Sequence, residues 1–334
     1  MKKNKKIYAA TIGLGFGKTH ASTFKKNKFS KLICVNDKDI RKKKLAKNLN
    51  TEFVKNTKHI FNNKKINLIS IASYDNYHFK HLYKAIKNNK NIFVEKPLCQ
   101  NIKQFFLIKK LLKNEKIKLS SNFVLRYHPK FKKVKQLIDK NVIGKIYSME
   151  GEYNYGRLEK LTKGWRGKIP FYSIVQGGGI HIIDLMIWLT KSPPIKAISV
   201  GNNLILKQSN FKFNDNNIAL LRFKNGVVGK VTSNFSCTMP HNHYLKIYGN
   251  KGTIEVSFDK IKLFKSRSKK ATSSSIKYKN SKNYKEELLN NFIKCILENK
   301  KNKNPSLQDI YSSMSTCFAI EKSIKSKKWE KISQ

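Results

Sequence analysis

Residues 7–20, in order Ile7-Tyr8-Ala9-Ala10-Thr11-Ile12-Gly13-Leu14-Gly15-Phe16-Gly17-Lys18-Thr19-His20, leave the chain few folds to choose from. Six apolar or small residues run into a glycine cluster, and a helix-compatible segment from Thr19 to Phe24 follows. That order reads as buried strand, tight turn and helix start. Such a turn lets backbone N–H groups approach a pyrophosphate at a helix N-terminus, where the helix dipole favours the anion. Glycine is needed because a Cβ blocks either the positive-φ turn or the close approach.

Three readings of the turn compete. The dinucleotide fingerprint is G-x-G-x-x-G; here Gly13, Gly15 and Gly17 place the third glycine one residue early, with Lys18 in the expected position. A P-loop, suggested by Gly17-Lys18-Thr19, requires glycine at position 12, where the chain has Ile12. A glycine-rich turn with no ligand is the third. The downstream sequence favours the dinucleotide. Lys31 to Asp37 reads as a second buried strand ending in an acid, and Asp37 lies 24 residues after Gly13, near the ~20-residue offset of a ribose-binding carboxylate. Asp37 also suits a simple helix cap.

Length and composition set the frame. At 334 residues, about 150 per domain gives two domains. A hydrophobic fraction of 40% suits a folded enzyme rather than a disordered chain. The cysteines (34, 99, 237, 295 and 317) are scattered and form no C-x-x-C, which argues for reduced thiols, a cytoplasmic protein and no metal site. The basic start, Met1 to Lys6, followed by apolar residues imitates a signal peptide, but the glycine turn interrupts the apolar run, so it reads as the first strand. No run approaches the ~18 apolar residues of a membrane-spanning helix, and Ile182 to Leu189 is the longest. The formal charge is +50, yet only six of the 70 basic residues are arginine, leaving 64 lysines spread along the chain with many Asn and Ile. Dispersed lysine reads as genomic composition and a solvated coat, whereas a nucleic-acid reader clusters its charge and uses arginine.

The first part alternates strand and helix: strands at 52–54, 66–72, 91–95 and 118–124, helices at 40–48, 77–88 and 102–113. Continuous apolar strands between helices predict a doubly wound parallel α/β sheet. Beyond about residue 122 the runs at 145–155, 195–200, 217–223, 227–236, 244–248 and 253–258 alternate polar and apolar, predicting strands with one wet face in an antiparallel or mixed sheet. Asn225-Gly226 predicts a hairpin turn. Helices are expected at 128–140, 180–191, 285–299 and 306–326, with a Lys/Ser-rich mobile loop at 265–283.

Two clusters carry chemistry. Glu95-Lys96-Pro97 puts a charge pair at the carboxyl end of a strand, where open α/β sheets bind ligands. Pro97 disfavours helical backbone at Lys96 and holds that side chain at the strand end. A surface ion pair before a turn is the plainer reading. Gly177-Gly178-Gly179-Ile180-His181-Ile182-Ile183-Asp184 opens a helix on which His181 and Asp184 are i,i+3 neighbours. A carboxylate beside a histidine orients it and raises its basicity, as a general base requires; a structural histidine is the alternative.

Taken together, the chain resembles the glucose–fructose oxidoreductase/inositol dehydrogenase (Gfo/Idh/MocA) family of NAD(P)-dependent oxidoreductases. The matching stretches are Ile12 to Gly15 with His20, Asp37, Ser73 to His78, Glu95-Lys96-Pro97, Arg126-Tyr127-His128-Pro129, Trp165-Arg166 and Gly179-Ile180-His181 with Asp184. The resemblance implies a Rossmann domain over 1–122 and, over 123–334, an α/β domain with a large open sheet through which such proteins form homodimers or homotetramers. It implies NAD as cofactor, with NADP possible, held by Gly13, Gly15, Phe16, Gly17 and Asp37 at its adenosine and pyrophosphate end. Ser73, Tyr74, Asn76, His78, Glu95 and Lys96 follow at its nicotinamide end. Lys96, His181 and Asp184 are the implied catalytic residues, and Arg126, Tyr127, Trp165 and Arg166 the implied substrate contacts. The expected reaction is hydride transfer between nicotinamide and a carbinol or carbonyl carbon of a sugar, sugar derivative or cyclitol. The alternatives are a cofactor-binding protein without turnover and a basic nucleic-acid-binding protein. Two departures from the family pattern stand out: the compressed glycine spacing, and Gly177 where the family often has an aspartate four residues before the histidine.

Overall fold

The computed structural model describes residues 6–113, 116–268, 270, 272–281 and 283–333. Most of the basic start, residues 1–5, and residues 269, 271 and 282 of the Lys/Ser-rich loop lie outside the described residues. The chain divides into two compact units: 1–124 with 282–307, and 125–281 with 308–334.

The first unit is built from β1 (Ile7–Ile12), α1 (Gly17–Lys26), β2 (Ser30–Asn36), α2 (Lys43–Asn48), β3 (Glu52–Phe53), α3 (Lys58–Asn62), β4 (Leu68–Ile71), α4 (Asp75–Lys87), β5 (Asn91–Val94), α5 (Ile102–Leu112) and β6 (Leu119–Ser121). All strands are parallel, in the order β3-β2-β1-β4-β5-β6. Ala9, Ala10, Ile69, Ile71, Phe93 and Val94 are fully buried, as expected of strands covered on both faces. Strand order reverses between β1 and β4, and ligands of such sheets bind beyond the strands' carboxyl ends at that reversal.

The second unit begins with a 3₁₀ turn and α6 (Pro129–Asp139), then β7 (Ile146–Asn154) and α7 (Glu159–Thr162). A π-helical turn, Val175–Gly179, runs directly into α8 (Ile180–Thr190). Then come β8 (Pro194–Asn202), β9 (Asn216–Phe223), β10 (Val228–Asn234), β11 (Asn242–Gly249), β12 (Gly252–Val256), β13 (Ile261–Phe264) and β14 (Ser274–Ser275). At this point the chain leaves the second unit, and α9 (Tyr284–Leu297) packs in the first. There the Asn27 amide donates to Asn290 Oδ1 (2.7 Å), and the Phe292 and Phe93 rings meet at 6.0 Å. The division thus differs from a single boundary after residue 122. The last elements, α10 (Leu307–Ser326) and β15 (Glu330–Lys331), complete the second unit.

Its sheet has nine strands in the order β14-β13-β12-β11-β7-β10-β9-β8-β15; β7 and β10 are parallel and the remaining pairs antiparallel. The expected hairpin joins β9 and β10, with Gly226 at φ +88°. Burial alternates along β9 and β10. The apolar helix α8, buried along almost its whole length, packs against β7 and β10. The outward positions Tyr147, Val200, Ile218, Leu220 and Val228 are exposed.

Candidate functional site

In the first unit the glycine turn is fixed by contacts that only glycine permits. Gly13 sits at φ +88°, and a Cβ there would lie 2.3 Å from the Ala72 carbonyl oxygen and 2.6 Å from Ser73 N. Its N–H donates to the Asn36 carbonyl (2.7 Å), and the Leu14 N–H donates to Asp37 Oδ2 (2.5 Å). A Cβ on Gly17 would meet Thr11 and Ala72 side chains at 2.9 and 3.0 Å, so this glycine lets the first turn of α1 lie against β1. That is the packing role of the fingerprint's third glycine. Phe16 already has helical dihedrals, so the helix starts early and absorbs the compressed spacing. Around Gly15 a Cβ would meet nothing within 4 Å, which leaves a cradle open beside the uncapped start of α1. Asp37 also accepts from the Asp39 N–H (2.8 Å), so both carboxylate oxygens are fixed at the end of β2 and keep lone pairs for further donors. A cleft of about 270 Å³ next to Leu14 is lined by Lys18, Arg41, Lys42 and Lys44. A larger groove, about 900 Å³, runs beside β3 between Lys31 and Phe53 and holds none of the expected site residues.

At the carboxyl ends of β4, β5 and β6, Asn76 Oδ1, Ser121 Oγ and Asn122 Oδ1 are buried with no hydrogen-bond partner among the described residues. Unsatisfied buried acceptors at one edge fit a ligand bearing N–H and O–H groups. Tyr74 is exposed beside them. His78 is placed differently from expectation: it is fully buried, with Nδ1 2.6 Å from the Pro97 carbonyl oxygen and Nε2 2.9 Å from that of Ser73. It ties the loop after β4 to the Lys96-Pro97 segment and is a positioning residue. Ser73 Oγ meets His81 Nδ1 at 3.0 Å; burial, then the neighbouring His78, pushes the His81 imidazole down to about 4. Glu95 likewise points inward. Asn122 Nδ2 donates to its Oε1 (2.7 Å), His20 Nε2 lies 3.4 Å away, and His20 Nδ1 meets Ser70 Oγ at 2.8 Å. Burial alone would raise the Glu95 carboxyl, but His20, Lys96 and Asn122 hold it below its ordinary value. Lys96, half-buried, follows at the strand end.

In the second unit His181 lies on the first turn of α8, 8% exposed, stacked on Tyr153 of β7 (6.0 Å, 18°). Ring contacts continue from Tyr153 to His243 (5.1 Å), from His243 to His241 (4.7 Å) and from His241 to Tyr155 (5.2 Å). Among the described residues no group of three His, Cys, Asp or Glu is placed to hold a metal ion.

The expected His181–Asp184 pairing is not the one the structure makes. Both Asp184 oxygens accept from Arg126, from Nε at 2.9 Å and Nη2 at 2.7 Å, and Arg126 Nη1 donates to Asp309 (2.9 Å). Arg126, 1% exposed, is therefore a core ion-pair residue, which corrects its reading as a substrate contact. Burial pushes the Asp184 carboxyl up to about 6 against the pull of Arg126, and the bidentate geometry requires the ionised form. Tyr127 is also buried.

Gly177 is explained by a neighbour. A Cβ there would lie 2.2 Å from the Tyr172 hydroxyl oxygen, so a phenol fills the space a side chain at 177 would need. Arg166 Nε donates to that hydroxyl (3.0 Å), and its guanidinium stands 4.7 Å over the Trp165 ring. One residue earlier, Gln176 Nε2 donates to both Glu321 oxygens (3.0 and 2.9 Å). Sequence reasoning missed Tyr153, Tyr172, His241, His243 and Glu321. Only the His-x-His spacing at the start of β11, which puts both rings on one strand face, was there to be read.

The model of the oxidoreductase family NAD-binding Rossmann fold matches residues 7–123, and that of the GFO/IDH/MocA C-terminal domain matches 131–255. Oxidoreductase P35 of Formosa agariphila is 30% identical over 214 residues, which cover 61% of this chain and 63%, under two thirds, of that protein. Myo-inositol 2-dehydrogenase of Thermotoga maritima is 22% identical, covering 73% of each chain. A solved levoglucosan dehydrogenase, in complex with NADH and L-sorbose, shares the fold with a TM-score of 0.89 at 19% identity, covering 99% of this chain and 100% of that one. Among the described residues no helix is long and apolar enough to cross a membrane.

Proposed function

The chain belongs to the Gfo/Idh/MocA family of oxidoreductases, and from that premise we propose that it moves a hydride between bound NAD and a carbinol or carbonyl carbon of a sugar, sugar derivative or cyclitol. The observation that carries this reading is the carboxyl edge of the six-stranded sheet. There a left-handed Gly13 and an open Gly15 cradle stand at the start of α1, and unsatisfied acceptors stand beyond β4 to β6. NAD supplies the hydride acceptor or donor at its nicotinamide C4. Gly15, Phe16 and Gly17 hold the pyrophosphate with backbone N–H groups, Gly13 shapes the turn that carries them, and Asp37 accepts from the adenosine ribose. Asn76 and its neighbours Ser73 and Tyr74 orient the nicotinamide end. Lys96 and His181 handle the substrate hydroxyl proton, and Trp165 and Arg166 bind the sugar.

The test is a panel of sugars, sugar derivatives and cyclitols followed by NADH absorbance. On a confirmed substrate, Lys96→Ala and His181→Ala should each lower turnover about 10²-fold or more, with NAD affinity retained in His181→Ala. Wild-type turnover in both variants would remove them from the mechanism. NAD should bind more tightly than NADP, because Asp37 repels a 2′-phosphate; NADP binding tenfold tighter would reassign Asp37. A second reading, NAD binding without turnover, is favoured by one observation: Asp184 is committed to Arg126. It wins if NAD binds and nothing in the panel reacts.

The exposed apolar positions Tyr147, Val200, Ile218, Leu220 and Val228 support a homodimer or homotetramer formed through this sheet. Light scattering on Leu220→Lys should show smaller particles than the wild type. Five free cysteines suit the cytoplasm.

A further inference from the structure

Two of the chain's six arginines stand at one aromatic cluster of the second unit. The Arg157 guanidinium lies 5.3 Å from the centre of the Tyr155 ring, and that of Arg166 lies 4.7, 5.8 and 5.9 Å from Trp165, Tyr172 and Tyr155. Ring contacts lead from Tyr155 through His241 and His243 to Tyr153, on which His181 stacks. Lysine supplies 64 of the chain's 70 positive charges, so two of its six arginines at one cluster depart from its own habit. Arginine is the residue whose planar fork both stacks on rings and grips a carboxylate or phosphate bidentately.

The seat beside Gly177 sharpens the point. The Tyr172 hydroxyl occupies it and accepts from Arg166 Nε (3.0 Å). A phenol thus accepts the Arg166 hydrogen bond in the seat where the family often has a carboxylate. Arg157 is exposed and makes no ion pair among the described residues. The cluster therefore combines two guanidinium groups and three imidazoles on a stacked aromatic floor.

We propose that the substrate taken by this unit carries an anionic group, a carboxylate or a phosphoryl group, gripped by Arg166 and Arg157, with the sugar ring on the aromatic floor. This deepens, and rests on, the reading of the protein as a sugar or cyclitol dehydrogenase. The full-length protein with NAD is assayed on matched probes: D-glucose and myo-inositol, D-glucuronate, and glucose 1-phosphate. A charged probe should exceed its neutral counterpart at least tenfold in kcat/KM, and which one does so separates carboxylate from phosphoryl recognition. Arg157→Gln and Arg166→Gln should each erase about tenfold of that advantage, with NAD affinity as the control for folding.

Should none of the probes react while NAD binds, the dehydrogenase reading fails, and calorimetric titration of the same probes onto the NAD-loaded protein still decides the charge question. Tighter binding of a charged probe, weakened in both arginine variants, upholds it. Equal binding of charged and neutral probes, no binding of either, or a preference that survives both substitutions and so reflects only the +50 field, overturns it.

Discussion

Asp184 sits in an ionic triad rather than beside an imidazole. Removing one member of a buried pair strands the other's charge, which typically costs about 3–5 kcal/mol. Asp184→Asn should therefore lower the free energy of unfolding, read from the denaturant midpoint and slope, by an amount in that range. A variant with an unchanged midpoint and lost turnover would return Asp184 to the catalytic list. Glu321 makes a pH-dependent prediction. Burial pushes its carboxyl up to about 7, against hydrogen bonds from Ser173 and Gln176. A carboxyl whose folded value lies above its unfolded one, 4.5 for glutamate, binds its proton more tightly in the folded protein. Its contribution is complete below pH 4.5 and is lost as pH rises through about 7. Glu321→Gln removes the titrating group: its melting temperature should fall less between pH 5 and 8 than that of the wild type.

At the scale of elements, the junction from the π-helical turn into α8 is where small changes should matter most. A side chain at 177 collides with Tyr172, so Gly177→Asp alone should destabilise by about 1–3 kcal/mol, the usual cost of overpacking. Combined with Tyr172→Ala, the loss should shrink; a thermal-melt double-mutant cycle showing strict additivity would mean that the two positions do not share the space. Much at this scale was legible in the sequence. Continuous apolar runs marked β1, β2, β4 and β5, and alternation marked β7 to β12, because each pattern reports how many faces of a strand are covered. What escaped was tertiary. The i,i+3 spacing put His181 and Asp184 on one helix face but could not say that Arg126, 58 residues away, takes the carboxylate. Short elements such as α3, α7, β13 and β15 carry too few residues for a period. Nor does the amphipathic pattern of α9 say which sheet it will cover.

Across the whole molecule, 20 acids cannot neutralise 70 bases, and a net +50 opposes compaction. Raising NaCl from ~0.01 to ~0.1 M shortens the screening length from ~30 to ~10 Å and should raise the melting temperature. Duplex DNA should bind only weakly and release steeply with salt; nanomolar, sequence-selective binding at physiological salt would instead make the charge a recognition device. The return of α9 to the first unit sets an order of events during synthesis. Every strand of the six-stranded sheet has been synthesised by residue 124, yet the helix that meets Asn27 and Phe93 is made only after 125–281 have been translated. At ~5–20 residues per second that wait is roughly ten to thirty seconds. For that interval the apolar surface that α9 will cover, Phe93 included, stays open on the nascent NAD-binding unit. The unit begun first is completed only after most of the second has been translated.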